Sequence, residues 1–166
     1  MLLTQSQADY LLALPKEVKN EGKMIDLSEN KIVLDLVSPE DDEWKFSFHI
    51  FSSTKISFRI NLHHQEARSK TGLLRIDFGG RHCNPVEVNH FVPNIAAPFA
   101  GKWIEKPHIH FFVESYSPLA WAIPLTEYKA FPVLVVNNKD DLLRAVLAFS
   151  DKINITSHFS IQHSIL

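Results

Sequence analysis

Three stretches of the chain alternate apolar and polar residues with a strict period of two, and this constrains the fold more than any other feature. In 44–51, Trp44, Phe46, Phe48 and Ile50 fall on one side and Lys45, Ser47 and His49 on the other. In 55–62, Ile56, Phe58, Ile60 and Leu62 oppose Lys55, Ser57, Arg59 and Asn61. In 73–78, Leu74, Ile76 and Phe78 oppose Arg75 and Asp77. Successive strand residues point to opposite faces, so this pattern buries one face and leaves the other polar. An α-helix would mix the two classes on every side. Repeated in consecutive runs separated by turn residues, the pattern predicts a half-buried antiparallel meander. The acidic turn 38–42 and the Ser/Thr turn 52–54 provide the reversals.

The remaining segments add strands and helices around that meander. Residues 32–37 read as the first strand, 107–114 and 119–124 as later ones, 131–136 as a buried strand or turn, and 157–163 as the last strand. Thr4 and Gln7 form a capping-box pattern ahead of Leu11, Leu12 and Leu14, which predicts a short N-terminal helix closed by Pro15. Residues 16–23 read as a linker or frayed turn. Asn138 is placed to cap a second helix over 139–150, with Asp140 and Asp141 in its first turn and a core stripe of Leu142, Leu143, Val146, Leu147 and Phe149. The fold class is therefore α+β: a curved antiparallel β-sheet or half-open barrel with two or three packed helices. One domain over 1–166 is expected, since neither a repeat nor a linker divides the chain. The segment 81–107 holds four prolines and little periodicity, which marks it as a functional connection or lid.

Composition narrows the function classes. Net charge is −2 with His neutral, so nucleic-acid binding would need a local basic patch rather than a global one. Cys83 is the sole cysteine, which excludes an internal disulfide and a multi-cysteine zinc site. No stretch approaches the roughly 20 apolar residues of a membrane span, and the opening residues lack a secretory pattern, so a cytoplasmic protein is expected. Nine His residues direct the search to acid/base or metal chemistry.

The outward positions of the expected strands are His49, Arg59 with Asn61, Arg75 with Asp77, and His108 with His110 and Glu114. On neighbouring strands they would form one polar field. A solvated face laced with salt bridges explains such a field without any function. Its content of His, Arg, Asp and Asn rather than Lys, Glu and Thr favours a site. The catalytic set read from it is Arg75, Asp77, His82, His108, His110 and Glu114. A His pair with an arginine suits metal-independent cleavage of a phosphodiester, with one imidazole as base, one as acid, and Arg75 or Arg81 stabilising charge. His63, His64, Arg68, Lys70 and Arg81 are the nucleic-acid-binding candidates, with Trp103, Phe112 and Tyr116 as stacking platforms; an ordinary charged loop is the better account of the basic run. The metal reading uses His108, His110 and Glu114, with Asp77, His82 or His90 as further ligands. Its H-x-H-x-x-x-E spacing resembles the first metal motif of cupins, although no second cupin motif follows. The sequence requires no cofactor; a divalent metal is the one it suggests. Cys83 beside His82 is a weaker candidate nucleophile.

Three stretches together carry a family resemblance: 3–12 (LTQSQADYLL); 74–85 (LRIDFGGRHCNP); and 107–125, from Pro107-His108-Ile109-His110 through Glu114-Ser115-Tyr116 to Trp121-Ala122-Ile123-Pro124-Leu125. They resemble a family of small bacterial proteins of unknown function, with an R-x-D strand, a Gly, a His and Asn-Pro, a P-H-x-H strand, Glu-Gly-Tyr and a W-A-x-P-L ending. The resemblance implies a bacterial origin and groups Arg75, Asp77, His82, Asn84, His108, His110 and Glu114 as one site. Ser115 replaces the pattern's Gly, and the segment between Pro85 and Pro107 is longer than the pattern's. The expected function is an RNA-directed toxin or phage-defence protein, a metal-independent endoribonuclease. The alternatives are a non-enzymatic inhibitor that binds a protein partner through the long loop and Trp103, and a cupin-type metal-dependent small-molecule enzyme.

Overall fold

The structure is a computed structural model. It describes every residue except 1, 20, 21, 23, 53–55, 65–69 and 163–166, and for 56–64 the backbone alone. Helix α1 (Gln5–Ala13) starts at the expected capping box: Thr4 accepts from the Gln7 backbone N–H, and Gln7 reaches back to Thr4. Strands follow as β1 (Glu17–Val18), β2 (Met24–Asp26), β3 (Lys31–Val37), β4 (Trp44–Ser52), β5 (Ile56–His64), β6 (Lys70–Asp77), β7 (His82–Cys83), β8 (Trp103–Ile104), β9 (His108–Phe111) and β10 (Trp121–Pro124). Helix α2 (Lys139–Lys152), capped by Asn138, and β11 (Ser160–Gln162) complete the fold.

Seven strands form one sheet in the order β1-β3-β4-β5-β6-β9-β10, antiparallel at every pairing. Its two ends do not pair with each other, so the sheet is open and the α+β class holds. The apolar positions read from the alternation make the core: Phe46, Phe48, Ile50, Leu74 and Ile76 are buried. Helix α2 lies on this face, with the Phe149 ring stacked on Phe48 at 5.1 Å between centroids.

Several boundaries differ from those expected. β5 and β6 extend to His64 and back to Lys70, lengthening the hairpin. The linker 16–23 contains β1, which pairs with β3, and a buried Lys16. The last strand pairs with β2 in parallel. Residues 131–136 form no strand, and only Phe131 and Val133 of that run are buried. Apolar, β-branched residues suit any dry position, and here they cover the core as irregular chain.

The largest difference lies on the polar face. Alternating burial holds on β3, but β9 and β10 are buried on both faces. Segment 81–107 crosses this side as an ordered roof. Its β7 and β8 pair with each other, and the Asn84 side chain bonds both the N–H and the C=O of Ala122 on β10, each at 2.8 Å. Asn84 also reaches the Phe99 carbonyl, and the Tyr116 hydroxyl donates to the Glu87 carbonyl. Thus the expected wet face is closed over at its β9–β10 end.

Candidate functional site

Register builds the site. Strand β6 pairs with β9 so that Arg75 faces His110 and Asp77 faces His108. Four polar side chains therefore share one face as two cross-strand pairs, the most intimate arrangement available to a sheet. The β7–β8 pair then places His82 beside both imidazoles, its ring centroid 4.5 Å from that of His110 and 6.1 Å from that of His108.

Backbone carbonyls fix each imidazole. His110 donates its Nδ1–H to the Leu119 carbonyl at 2.8 Å, and His108 its Nδ1–H to the Lys106 carbonyl at 2.7 Å. His82 donates Nε2–H to the Ala120 carbonyl at 2.8 Å. These bonds engage one nitrogen of each ring as donor and leave Nε2 of His108, Nε2 of His110 and Nδ1 of His82 as the other nitrogens, the ones that carry a lone pair in a neutral ring. Asp77 Oδ2 lies 3.2 Å from His110 Nε2 and 3.6 Å from His108 Nε2. The three ligand atoms of Asp77, His108 and His110 all lie within 4.8 Å of one another. Arg75 engages two of these residues: its guanidinium forms an ion pair with Asp77, Nε 2.9 Å from Oδ2, and Nη2 donates to His110 Nε2 at 2.7 Å.

Electrostatics maintains these states. Burial lowers the His110 pKa to about 4, so the ring is neutral at physiological pH. Burial also lowers His82. Burial pushes Asp77 upward, but its His110 contact and the Arg75 guanidinium outweigh that, and its carboxyl ends below the ordinary value. Two imidazoles, that of His110 neutral, and one carboxylate thus converge, with His108 1% and His110 0% exposed.

The backbone of Leu119 aims the carbonyl that anchors His110. Its φ of 60° is in the left-handed region, uncommon for a bulky residue. Gly72 makes room for it: a Cβ there would meet Leu119 Cδ1 at 2.5 Å. Neither residue, nor the Lys106 and Ala120 carbonyls, was singled out from the sequence, because a backbone acceptor carries no residue-type signature.

Of the expected catalytic set, Arg75, Asp77, His82, His108 and His110 come together and Glu114 does not. The chain leaves the strand after Phe111, Phe112 and Val113 are both buried, and the alternation that put Glu114 beside His110 is lost. Glu114 instead accepts the Gln5 N–H at 2.6 Å, at the start of α1 where a carboxylate is favoured. In the candidate metal set Asp77 therefore replaces Glu114. Ser115 keeps the turn expected of a Gly by adopting φ 74°. Asn84 holds the roof and is not one of the converging groups. His90 is exposed and stacked on Phe91. Cys83 is exposed beside the Asn84 and Gly101 carbonyls, and pairs with Trp103 while the adjacent His82 pairs with Ile104.

The nucleic-acid candidates are scattered. The side chains of His63 and His64, and all of Arg68, lie outside the described residues. Lys70 is exposed at the far end of β6, seven residues from Asp77 and so about 23 Å along an extended strand. Arg81 is exposed and stacks on the Trp103 ring at 4.8 Å. Phe112 is buried and Tyr116 is packed edge-on against Trp121, so neither offers a face to a base; Trp103 is 60% exposed.

Among the described residues no helix is long and apolar enough to cross a membrane. A family model described as "Family of unknown function (DUF6978)" matches residues 3–155. No curated protein and no solved structure matches the chain.

Proposed function

The chain belongs to the DUF6978 family of unknown function, and we propose that it is a metal-dependent hydrolase whose divalent ion is held by Asp77, His108 and His110. The observation that carries this reading is the carbonyl anchoring of both buried imidazoles, which turns their Nε2 atoms toward one carboxylate oxygen. Metal-binding histidines characteristically donate their other N–H in this way, which fixes tautomer and ring orientation. Two imidazoles and a carboxylate suit a first-row transition ion such as zinc, manganese or iron.

Burial favours this reading over the metal-independent ribonuclease. A general base must reach the proton that it removes. Imidazoles 0–1% exposed can be reached by a proton or an ion but offer little surface for direct contact with a ribose. Three protein ligands leave an ion room for water and substrate, and the chemistry it supplies is activation of that water. With an ion held there, His82 Nδ1 would be the base that takes a proton from the water and returns it to the leaving oxygen of a hydrolysed ester or phosphoester. RNA remains within the substrate class as a phosphodiester, and a toxin or defence role is one use of such an activity.

Calorimetric titration of the purified protein with Zn²⁺ and Mn²⁺ tests the reading. One ion should bind per chain, and D77N, H108Q and H110Q should each weaken it at least 100-fold while circular dichroism shows a folded protein. If no ion binds stoichiometrically, or if folded variants bind it as tightly as the parent, the proposal is wrong. RNA cleavage that persists in excess chelator would instead restore the metal-independent alternative.

A further inference from the structure

The β7–β8 pair has two sides. On one, His82 opposite Ile104 turns toward the buried imidazoles; on the other, Cys83 lies opposite Trp103. Trp103 is the most exposed tryptophan among the described residues, and it is held in place: the Arg81 guanidinium stacks on its ring at 4.8 Å. Arg81 is absent from the wall of the adjoining groove, whereas Trp103 lines it. The groove measures about 580 Å³, within the range of small-ligand sites. Lys102 and Lys106 supply its positive charge, and Glu105, Glu127 and Thr126 its acceptors.

The groove adjoins the proposed metal centre through shared backbone. Lys106 lines it, and the Lys106 carbonyl anchors His108. Pro124, another wall residue, is the cross-strand partner of His108.

We infer that this groove is the substrate subsite of the metal centre and that it takes a nucleotide, with the base stacked on Trp103 and the phosphate between Lys102 and Lys106. The assignment rests on the hydrolase reading for its chemistry, but the binding site stands on its own residues. An exposed indole braced by an arginine is a stacking surface for any base, because every base has a π-face. Lysine ammonium groups complement phosphate, and glutamate carboxylates accept from exocyclic amines and ribose hydroxyls. A free mononucleotide and the end of an RNA strand present the same chemistry.

The test is calorimetric titration of the full chain with AMP, with a short oligoribonucleotide and with inorganic phosphate, all in chelator so that the ion plays no part. AMP or the oligoribonucleotide should bind more tightly than phosphate, and the tighter of the two identifies the source. W103A should weaken that binding at least tenfold, and R81A less. K106A should also weaken it and leave Zn²⁺ affinity intact, because the carbonyl that anchors His108 is unchanged. D77N should do the reverse, losing Zn²⁺ and keeping the nucleotide; the subsite and the metal centre therefore fail separately. Absence of nucleotide binding, or binding indifferent to both W103A and K106A, overturns the inference, and a protein that copurifies through Trp103 in place of nucleotide would make the groove a protein interface.

Discussion

At the scale of single residues, Arg75 is the side chain on which the two chemical readings of the cluster diverge. It is ion-paired with Asp77 and donates to His110 Nε2, so it competes with any cation for both ligands. At 22% exposure it has a path to water, and a dication can displace it toward solvent. Arg75→Met removes this competitor while keeping much of the stem's packing. The expected result is a Zn²⁺ affinity about tenfold higher, equivalent to about 1.4 kcal/mol, measured by calorimetry. A centre that uses Arg75 as its only cation predicts the opposite: no gain in metal binding and loss of activity alone. The residues around Arg75 were legible because Asp and His at i and i+2 of two strands announce a shared face. Their anchoring was not, since it comes from carbonyls at 106, 119 and 120 that any residue could have supplied.

At the scale of elements, the roof is what turns a sheet face into a chamber. β7 and β8 are two residues each and cannot be stable as an isolated hairpin. Asn84 joins them to the sheet by imitating a strand: its amide gives one donor and one acceptor to Ala122, as a backbone neighbour would. Asn84→Ala leaves a buried N–H and a buried C=O without that partner. The expected cost is about 2–4 kcal/mol, read as a lower midpoint in denaturant unfolding. Because His82 rides on the same element, its C2-proton NMR signal should shift in the variant while those of His108 and His110 move less. Unchanged stability in Asn84→Ala would mean that the remaining loop bonds suffice. From the sequence, 81–107 stood out only by its prolines and lack of period, because it is held by side-chain-to-backbone bonds across about 40 positions of chain rather than by a repeating local pattern.

At the scale of the molecule, Lys16 links the two ends of the fold. It is fully buried, and its ammonium donates to the carbonyls of Leu12, Leu14 and Ile153 while lying 4.8 Å from the Phe46 ring centroid. It thus closes the C-terminal ends of both helices against the sheet. Burial lowers its pKa to about 8, below the ordinary 10.5, so it is charged at neutral pH. In Lys16→Met the three carbonyls lose their donor, and a fall of about 3–5 kcal/mol is expected at pH 7. The pH dependence has a definite sign. Between about 8 and 10.5 the unfolded chain carries the proton and the folded one does not, so unfolding takes up a proton and stability rises with pH. The stability gap between the parent and Lys16→Met should widen from pH 7.5 to 10 in urea titrations. A gap that narrows instead would show that the carbonyls hold the proton more strongly than burial repels it.

The sequence by itself determined the meander, the two capped helices, the buried face and the side on which Arg75, Asp77, His108 and His110 emerge. All of these follow from local rules, namely a period of two, a capping residue and an apolar stripe, which act over a few residues and leave their mark in residue type. Only the tertiary structure decided that this side is dry, that Asp77 rather than Glu114 completes the His pair, and which nitrogen of each ring faces inward. Those outcomes depend on strand register, on where β9 ends and on which distant backbone lies overhead. They are properties of chain placed close in space, and no neighbouring residue in the sequence encodes them.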